Sequence, residues 1–332
     1  MARPALRLRL PPGLGKAFWV ATLIVLSVEM ALHSDAVLQR YRSVFAVGRA
    51  MDKLRNVVQH PPQVLFVGNS RADNGIDPRA VARASGRPAS DFYNLGLPGA
   101  NFLAYHGVVK RLDAEGLFGP DAIHTVVLAL DESALQDENS LGYVGFLADR
   151  SALWHAGRYR DWLGSWIHLW SYSANLRQLR EPDKLTRLIQ ATVSEVEPVG
   201  GSTARHLGYR AGFGGTQDSA QAVRQELAAR LPPASYTEPF MWELIDTLQR
   251  RGVRVVVTVP PLRDRVSAYY SLREEADPYR ALLERIRQRG VTLLPEPAGY
   301  RHFEFIDLGH LNDTGAQRYS QELGRQLRAL GI

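Results

Sequence analysis

The stretch VLFVGNSRAD, Val64 to Asp73, sets four apolar residues before a glycine and then a serine flanked by Asn69 and Arg71. A short unbroken apolar run closed by Gly-Asn-Ser is the pattern of a strand buried on both faces and ended by a turn. Further runs of the same kind are DFYNLG (Asp91–Gly96), TVVLAL (Thr125–Leu130), VRVVVTV (Val253–Val259) and VTLLP (Val291–Pro295). Helical segments separate them. Before RAVARAS, for example, Asp77 can cap a helix whose first position Pro78 occupies. The alternation predicts an α/β fold, a doubly wound, flavodoxin-like parallel sheet of about five strands, with the working groups on loops at the carboxyl ends of the strands.

One interval breaks the rhythm. More than a hundred residues separate the third and fourth strands, far more than an ordinary crossover needs. A helical cap, about 134–235, is expected there, inserted in a catalytic domain of residues 63–332.

At 332 residues and 45% hydrophobic, the chain can bury a substantial core. The net charge of +6 comes from dispersed charges of both signs, so no nucleic-acid-tracking face is expected. The absence of cysteine excludes thiol catalysis, disulfides and cysteine-ligated metal. No metal-ligand spacing emerges among histidines and carboxylates, and neither a metal nor another cofactor is expected.

At the N-terminus, Arg3, Arg7, Arg9 and Lys16 precede AFWVATLIVLSVEMAL, Ala17 to Leu32. The pattern is that of a secretory signal, residues 1–36, read as an uncleaved single-pass anchor in the inner membrane through residues 17–32. A cleaved signal and a buried helix of the fold are the alternatives. Positive residues stay inside, so the remainder should lie on the periplasmic side, after a polar linker at 37–62.

Ser70 follows its strand directly, which places it at the carboxyl edge of the sheet. As a nucleophile it needs a neutral imidazole as base and a carboxylate to orient that imidazole; otherwise Gly-Asn-Ser is ordinary turn chemistry. Two histidines have an aspartate three residues earlier: His124 with Asp121, and His310 with Asp307. The first pair precedes a strand and so lies at the opposite edge. The second follows the last strand region, so Ser70, His310 and Asp307 are the candidate triad.

In chain order and motif the sequence resembles the SGNH (GDSL-like) hydrolase superfamily over about residues 63 to 327. VGNS looks like its first block with Ser70 as nucleophile. NLGLPG (Asn94–Gly99) looks like the second and DLGH (Asp307–His310) like the fifth. The resemblance implies an oxyanion hole formed by the Ser70 and Gly99 amides. Where the family has Gly-x-Asn-Asp, this chain has LDESAL from Leu130, and Ser133 stands nearest the place of the missing asparagine.

With the anchor included, the layout is similar to that of membrane-anchored SGNH-like proteins of bacterial polysaccharide O-acylation. The resemblance implies serine-dependent transfer of an acyl group, acetyl above all, on a cell-surface or exported polysaccharide, with a polytopic membrane acyltransferase as a candidate partner. A polysaccharide esterase with the same triad, and a catalytically weak glycan-binding scaffold of an export complex, are the alternatives.

Arg71, Asn101, Arg263 and Arg265 are the candidate substrate contacts. The last two lie in PPLRDRVSAYY (Pro260–Tyr270), also at the carboxyl edge. In the insert, Trp162, Trp166 and Trp170 recur every four residues and are expected on one helix face. They are read first as core of the cap, with a glycan-stacking wall or a membrane-interface belt as alternatives. GYRAGFGG (Gly208–Gly215) has no Walker lysine and is expected to be a mobile loop.

Overall fold

A computed structural model of the chain describes residues 15–41, 46–131, 146–173, 177, 179–193, 205–215, 238–263 and 278–332. Helices α1 (Gly15–Leu32), α2 (Asp35–Arg40) and α3 (Ala46–Gln59) come first. They are followed by β1 (Val64–Gly68), α4 (Ser70–Gly75), α5 (Pro78–Ser85), β2 (Phe92–Gly96), α6 (Phe102–Ala114) and β3 (Thr125–Ala129). The long interval holds α7 (Arg150–His155), α8 (Tyr159–Gly164), α9 (His168–Ser171), α10 (Pro182–Val193) and α11 (Glu238–Arg250). Then come β4 (Arg254–Thr258), α12 (Pro278–Gln288), β5 (Thr292–Leu293) and α13 (Asp313–Ala329).

All five strands are parallel, in the order β2-β1-β3-β4-β5. The fold is the doubly wound α/β sheet that the alternating pattern predicts. Successive side chains of a strand point to opposite faces, and here both faces are covered. Leu65, Val67, Tyr93, Leu95, Val126 and Val255 pack with residues of α3, α6, α11 and α12. Val64, Phe66, Phe92, Val127 and Val256 pack with Ala72, Val81, Ala316, Tyr319 and Leu323 of α4, α5 and α13. An unbroken apolar run is therefore the right sequence for β1, because no face of it meets water.

The strand order places a crevice at the carboxyl end of β1. From β1 the chain goes to β2 on one side, then crosses back to β3 on the other, so the connections after β1 and β3 diverge there. Gly68 and Gly96 end adjacent strands in register. A Cβ on Gly96 would lie 2.4 Å from the Asp73 backbone nitrogen, so only glycine lets α4 sit this close over β2.

Two expectations fail. Residues 37–62 are not a linker: they contain α2 and α3, and α3 buries Val47, Ala50, Leu54 and Val57 at helical spacing against the sheet. Nor do Trp162, Trp166 and Trp170 share a helix. Gly164 ends α8 and α9 begins at His168, and Trp166 and Trp170 stand about half exposed instead of forming core.

Helix α3 also carries Lys53, which is fully buried. Its Nζ donates to Asp73 Oδ1 and to the Gly96 carbonyl, both at 2.6 Å, while Arg49 reaches the same carboxylate oxygen at 3.0 Å. Burial lowers the lysine to about 8 against the pull of Asp73, with Arg49 adding to the depression. Removing Lys53 takes the fully buried one of two cations from the buried Asp73 carboxylate. Lys53→Met should cost about 3–5 kcal/mol, and adding Asp73→Asn should restore part of that loss. Denaturant unfolding of the single and double variants checks both expectations.

Candidate active site

Asn69 ends the turn after β1 and caps α4, its Oδ1 accepting the Arg71 amide at 2.9 Å. That cap fixes the direction in which Ser70, the first residue of α4, projects. The other end of the Asn69 side chain donates to Asp131 Oδ2 at 2.7 Å, and Arg71 Nε lies 3.6 Å from the same oxygen. Asp131, just beyond β3, is buried and joins the β3 end to the serine turn.

The partner of Ser70 comes from across the sheet. β5 lies at the far edge, three strands from β1, and the chain after it returns over the carboxyl ends to reach α4. The return is held by the Asn74 side chain, which donates to the Leu311 carbonyl at 3.3 Å, and by the pairing of Phe305 with Leu311. Asn312 then caps α13, which packs beside α4 and α5. Ser70 Oγ stands 2.7 Å from His310 Nε2 as a result.

On the other side of the ring, His310 Nδ1 lies 2.8 and 3.0 Å from the two Asp307 oxygens. Asp307 Oδ1 also accepts the amides of Gly309 (2.9 Å) and His310 (2.8 Å). With Nδ1 facing a carboxylate, that nitrogen holds the ring proton and Nε2 is left to accept the serine hydroxyl proton. Burial pushes the Asp307 carboxyl up, but the hydrogen bond and charge of His310 and the two amides outweigh it and hold the group at about 2. Ser70, His310 and Asp307 thus form a connected relay, half-open to solvent.

The rival pair sits elsewhere. His124 contacts Thr125 Oγ1 and Gln63 at the amino edge of the sheet, where β3 begins.

The remaining predicted contacts separate. Gly99, with φ of 76°, lies in the turn after β2, close to the serine turn because Leu97 donates to the Gly68 carbonyl at 2.8 Å. The guanidinium of Arg71 lies against Gly309, where a Cβ would come within 2.6 Å of it, so the cation bridges the serine turn and the histidine loop. Asn101 is buried and caps α6, its Oδ1 accepting the Ala104 amide at 3.2 Å. Arg263 is buried too, unlike an open substrate contact. Ser133 and Arg265 lie outside the described residues.

The glycine-rich GYRAGFGG is also corrected: it is stitched to the site's supports. Leu207 accepts from the Asn94 amide, Arg210 donates to the Asp73 carbonyl, and Tyr209 and Gly212 both hydrogen-bond Asp313 at the start of α13. A Cβ on Gly208, φ 83°, would meet the Asn94 carbonyl at 2.0 Å, so glycine is required for that approach.

Two residues behind the site, Lys53 and Asp73, escape a reading by motif, and Asn94, quoted within NLGLPG, has a structural role that the motif does not convey. Asn94 donates to the Ala72 and Ile76 carbonyls and accepts from the Gly96 amide, clamping α4 to β2. A polar residue in the middle of an apolar strand run is the signal that marks it. Among the described residues there is no group of three or more His, Asp or Glu able to hold a metal.

Comparison with protein-family models gives no match to the chain, and comparison with curated proteins gives none either.

The depressed Asp307 carboxyl sets a pH dependence. Its native value lies below the unfolded carboxylate value of about 4, so its contribution to stability is present above that pH and lost as pH falls toward 2. The stability difference between wild type and Asp307→Asn should shrink as pH falls from about 4 toward 2. Denaturant melts of both proteins across that range measure it.

Proposed function

We propose that the chain is an extracytoplasmic SGNH-type serine enzyme that moves an acyl group, acetyl above all, to or from hydroxyls of a cell-surface or exported polysaccharide. The observation that carries this reading is the relay from Ser70 Oγ through His310 to Asp307, with contacts of 2.7 and 2.8 Å. A triad is recognised by geometry and roles, and the geometry of these three groups supports the reading.

In this reading Ser70 Oγ attacks the ester carbonyl carbon while His310 Nε2 takes its proton. The tetrahedral oxyanion is received by the Ser70 and Gly99 amides that the family resemblance implies. Collapse breaks the bond to the alcohol, which leaves with the proton from His310, and acyl-Ser70 remains. A sugar hydroxyl, or water, then gives its proton to His310 and takes the acyl group.

One feature favours slow hydrolysis. Asp131, held by Asn69 and Arg71, lies just beyond β3, in the block where the family has an oxyanion-donating asparagine. A missing donor costs about two to three orders of magnitude in rate. That loss would slow transfer and hydrolysis alike; the resemblance and the anchor are what favour transfer, and a polysaccharide esterase with the same triad is the second reading.

The outer end of α1 supports a retained anchor on the periplasmic side. The helix is 18 residues long and apolar, with nearly all of it facing outward. Its last turn, by contrast, is built into the domain: Leu32 is buried, and Glu29 accepts the His168 and Leu169 amides at 2.7 and 2.9 Å.

The test uses the full chain in detergent or nanodiscs with an activated acetyl ester, a serine-directed fluorophosphonate and an oligosaccharide acceptor. Ser70→Ala should abolish labelling. His310→Ala and Asp307→Asn should lower the acylation rate by about six and about four orders of magnitude. Labelling that survives in Ser70→Ala rejects the triad, and acetyl found only on water rejects transfer.

A further inference from the structure

We infer that the segment carrying α7 to α9 is a second membrane contact, an aromatic surface seated in the headgroup layer of the bilayer that α1 enters. The inference rests on reading α1 as a retained anchor, and it goes beyond the acyl chemistry.

The segment presents large apolar side chains to solvent. Trp154, Tyr159, Leu163, Trp166, Ile167 and Trp170 are each between 38% and 57% exposed. Within it, Trp154 meets Tyr159 and Trp162 edge-on at 5.0 Å, and Trp162 meets Trp166 at 6.3 Å, so the rings form one connected surface. Contiguous exposed apolar area of this kind marks an interaction site. Indole and phenol rings, with one apolar body and one polar edge, favour the membrane–water boundary.

The occupant follows from where the anchor ends. His168, at the start of α9, donates its amide to Glu29 and its Nδ1–H to the Leu32 carbonyl at 2.9 Å, and its ring stacks on His33 at 3.6 Å. The aromatic surface is therefore bonded to the last turn of α1, at the level where a spanning helix leaves hydrocarbon. A lipid headgroup layer lies at that level whether or not any glycan is present.

Charge fits the same occupant. Arg150 lies 3.8 Å over the Trp166 ring and Arg160 lies 5.9 Å from that of Trp170, which interleaves guanidinium groups with indoles. A cavity of about 500 Å³ at this junction has mostly apolar walls, among which stand His33, Lys110, Arg111, Arg150 and His168, with Asp149 3.4 Å from Lys110. Such a lining complements anionic lipid phosphates.

A second element points the same way. Leu185, Ile189 and Val193 of α10 are exposed at four-residue spacing, an apolar stripe along one helix face. Arg40, at the end of α2, donates to the Thr192 carbonyl at 2.7 Å, so this stripe too is tied to the residues that follow the anchor.

Because the chain has no cysteine, single cysteines report position cleanly. The full chain is reconstituted in bilayers containing phosphatidylglycerol, with an environment-sensitive label at Leu163→Cys, Ile167→Cys, Leu23→Cys or Gln321→Cys. Gln321, on α13 across the sheet from the anchor's end, is the water-facing control. The expected result is blue-shifted emission quenched by spin-labelled lipid at 163 and 167 as well as at 23, with no quenching at 321. The pattern should be the same in a Ser70→Ala background, which keeps this test separate from the enzyme reading. Quenching at 23 but not at 163 or 167 overturns the seat alone. No quenching at 23 overturns the anchor and the seat together, and protection of 163 and 167 by soluble oligosaccharide instead of lipid assigns the surface to glycan.

Discussion

The buried ammonium of Lys53 ties together three elements of this molecule, α3, α4 and β2. It lies between the Asp73 carboxylate on α4 and the carbonyl that ends β2, so one side chain from α3 holds the serine helix and the following turn together. A charge with no access to water is tolerated only when such partners are fixed. Gly96 and Asn94 close the same joint from the β2 side, by absence of a Cβ and by a side-chain clamp. The position of Ser70 is therefore set by groups none of which would touch a substrate.

That joint also connects the N-terminal helices to the candidate site. α1 leads through α2 into α3, and α3 supplies the cation that braces α4. The anchor end and the aromatic segment are bonded at Glu29 and His168, and the triad forms where the chain after β5 returns to α4.

Much of the fold was legible in the sequence because fully buried strands have no reason to alternate. Val64–Val67 and Val126–Leu128 read as strands for that reason, and the choice of His310 over His124 needed only the rule that sites form at carboxyl ends. What was hidden depends on contacts distant in sequence. Lys53 looked like a linker charge because the partner that makes it structural lies 20 residues on and the carbonyl 43 residues on. Asn101 and Arg263 looked like substrate contacts because sequence does not report burial. The tryptophans kept their four-residue spacing while the helix that would have aligned them ended at Gly164. The role of Asp131 was likewise invisible, since its partners Asn69 and Arg71 lie on the β1 side of the sheet.

The proposed chemistry requires that Ser70 become acylated. Mass spectrometry of the full chain, quenched in acid after brief exposure to an activated acetyl ester, measures this directly. One added acetyl group is expected on the peptide containing Ser70, longer-lived when no oligosaccharide acceptor is present and lost in His310→Ala. Acetyl on lysines alone, or a Ser70 peptide of unchanged mass under conditions where the ester is consumed, would contradict it.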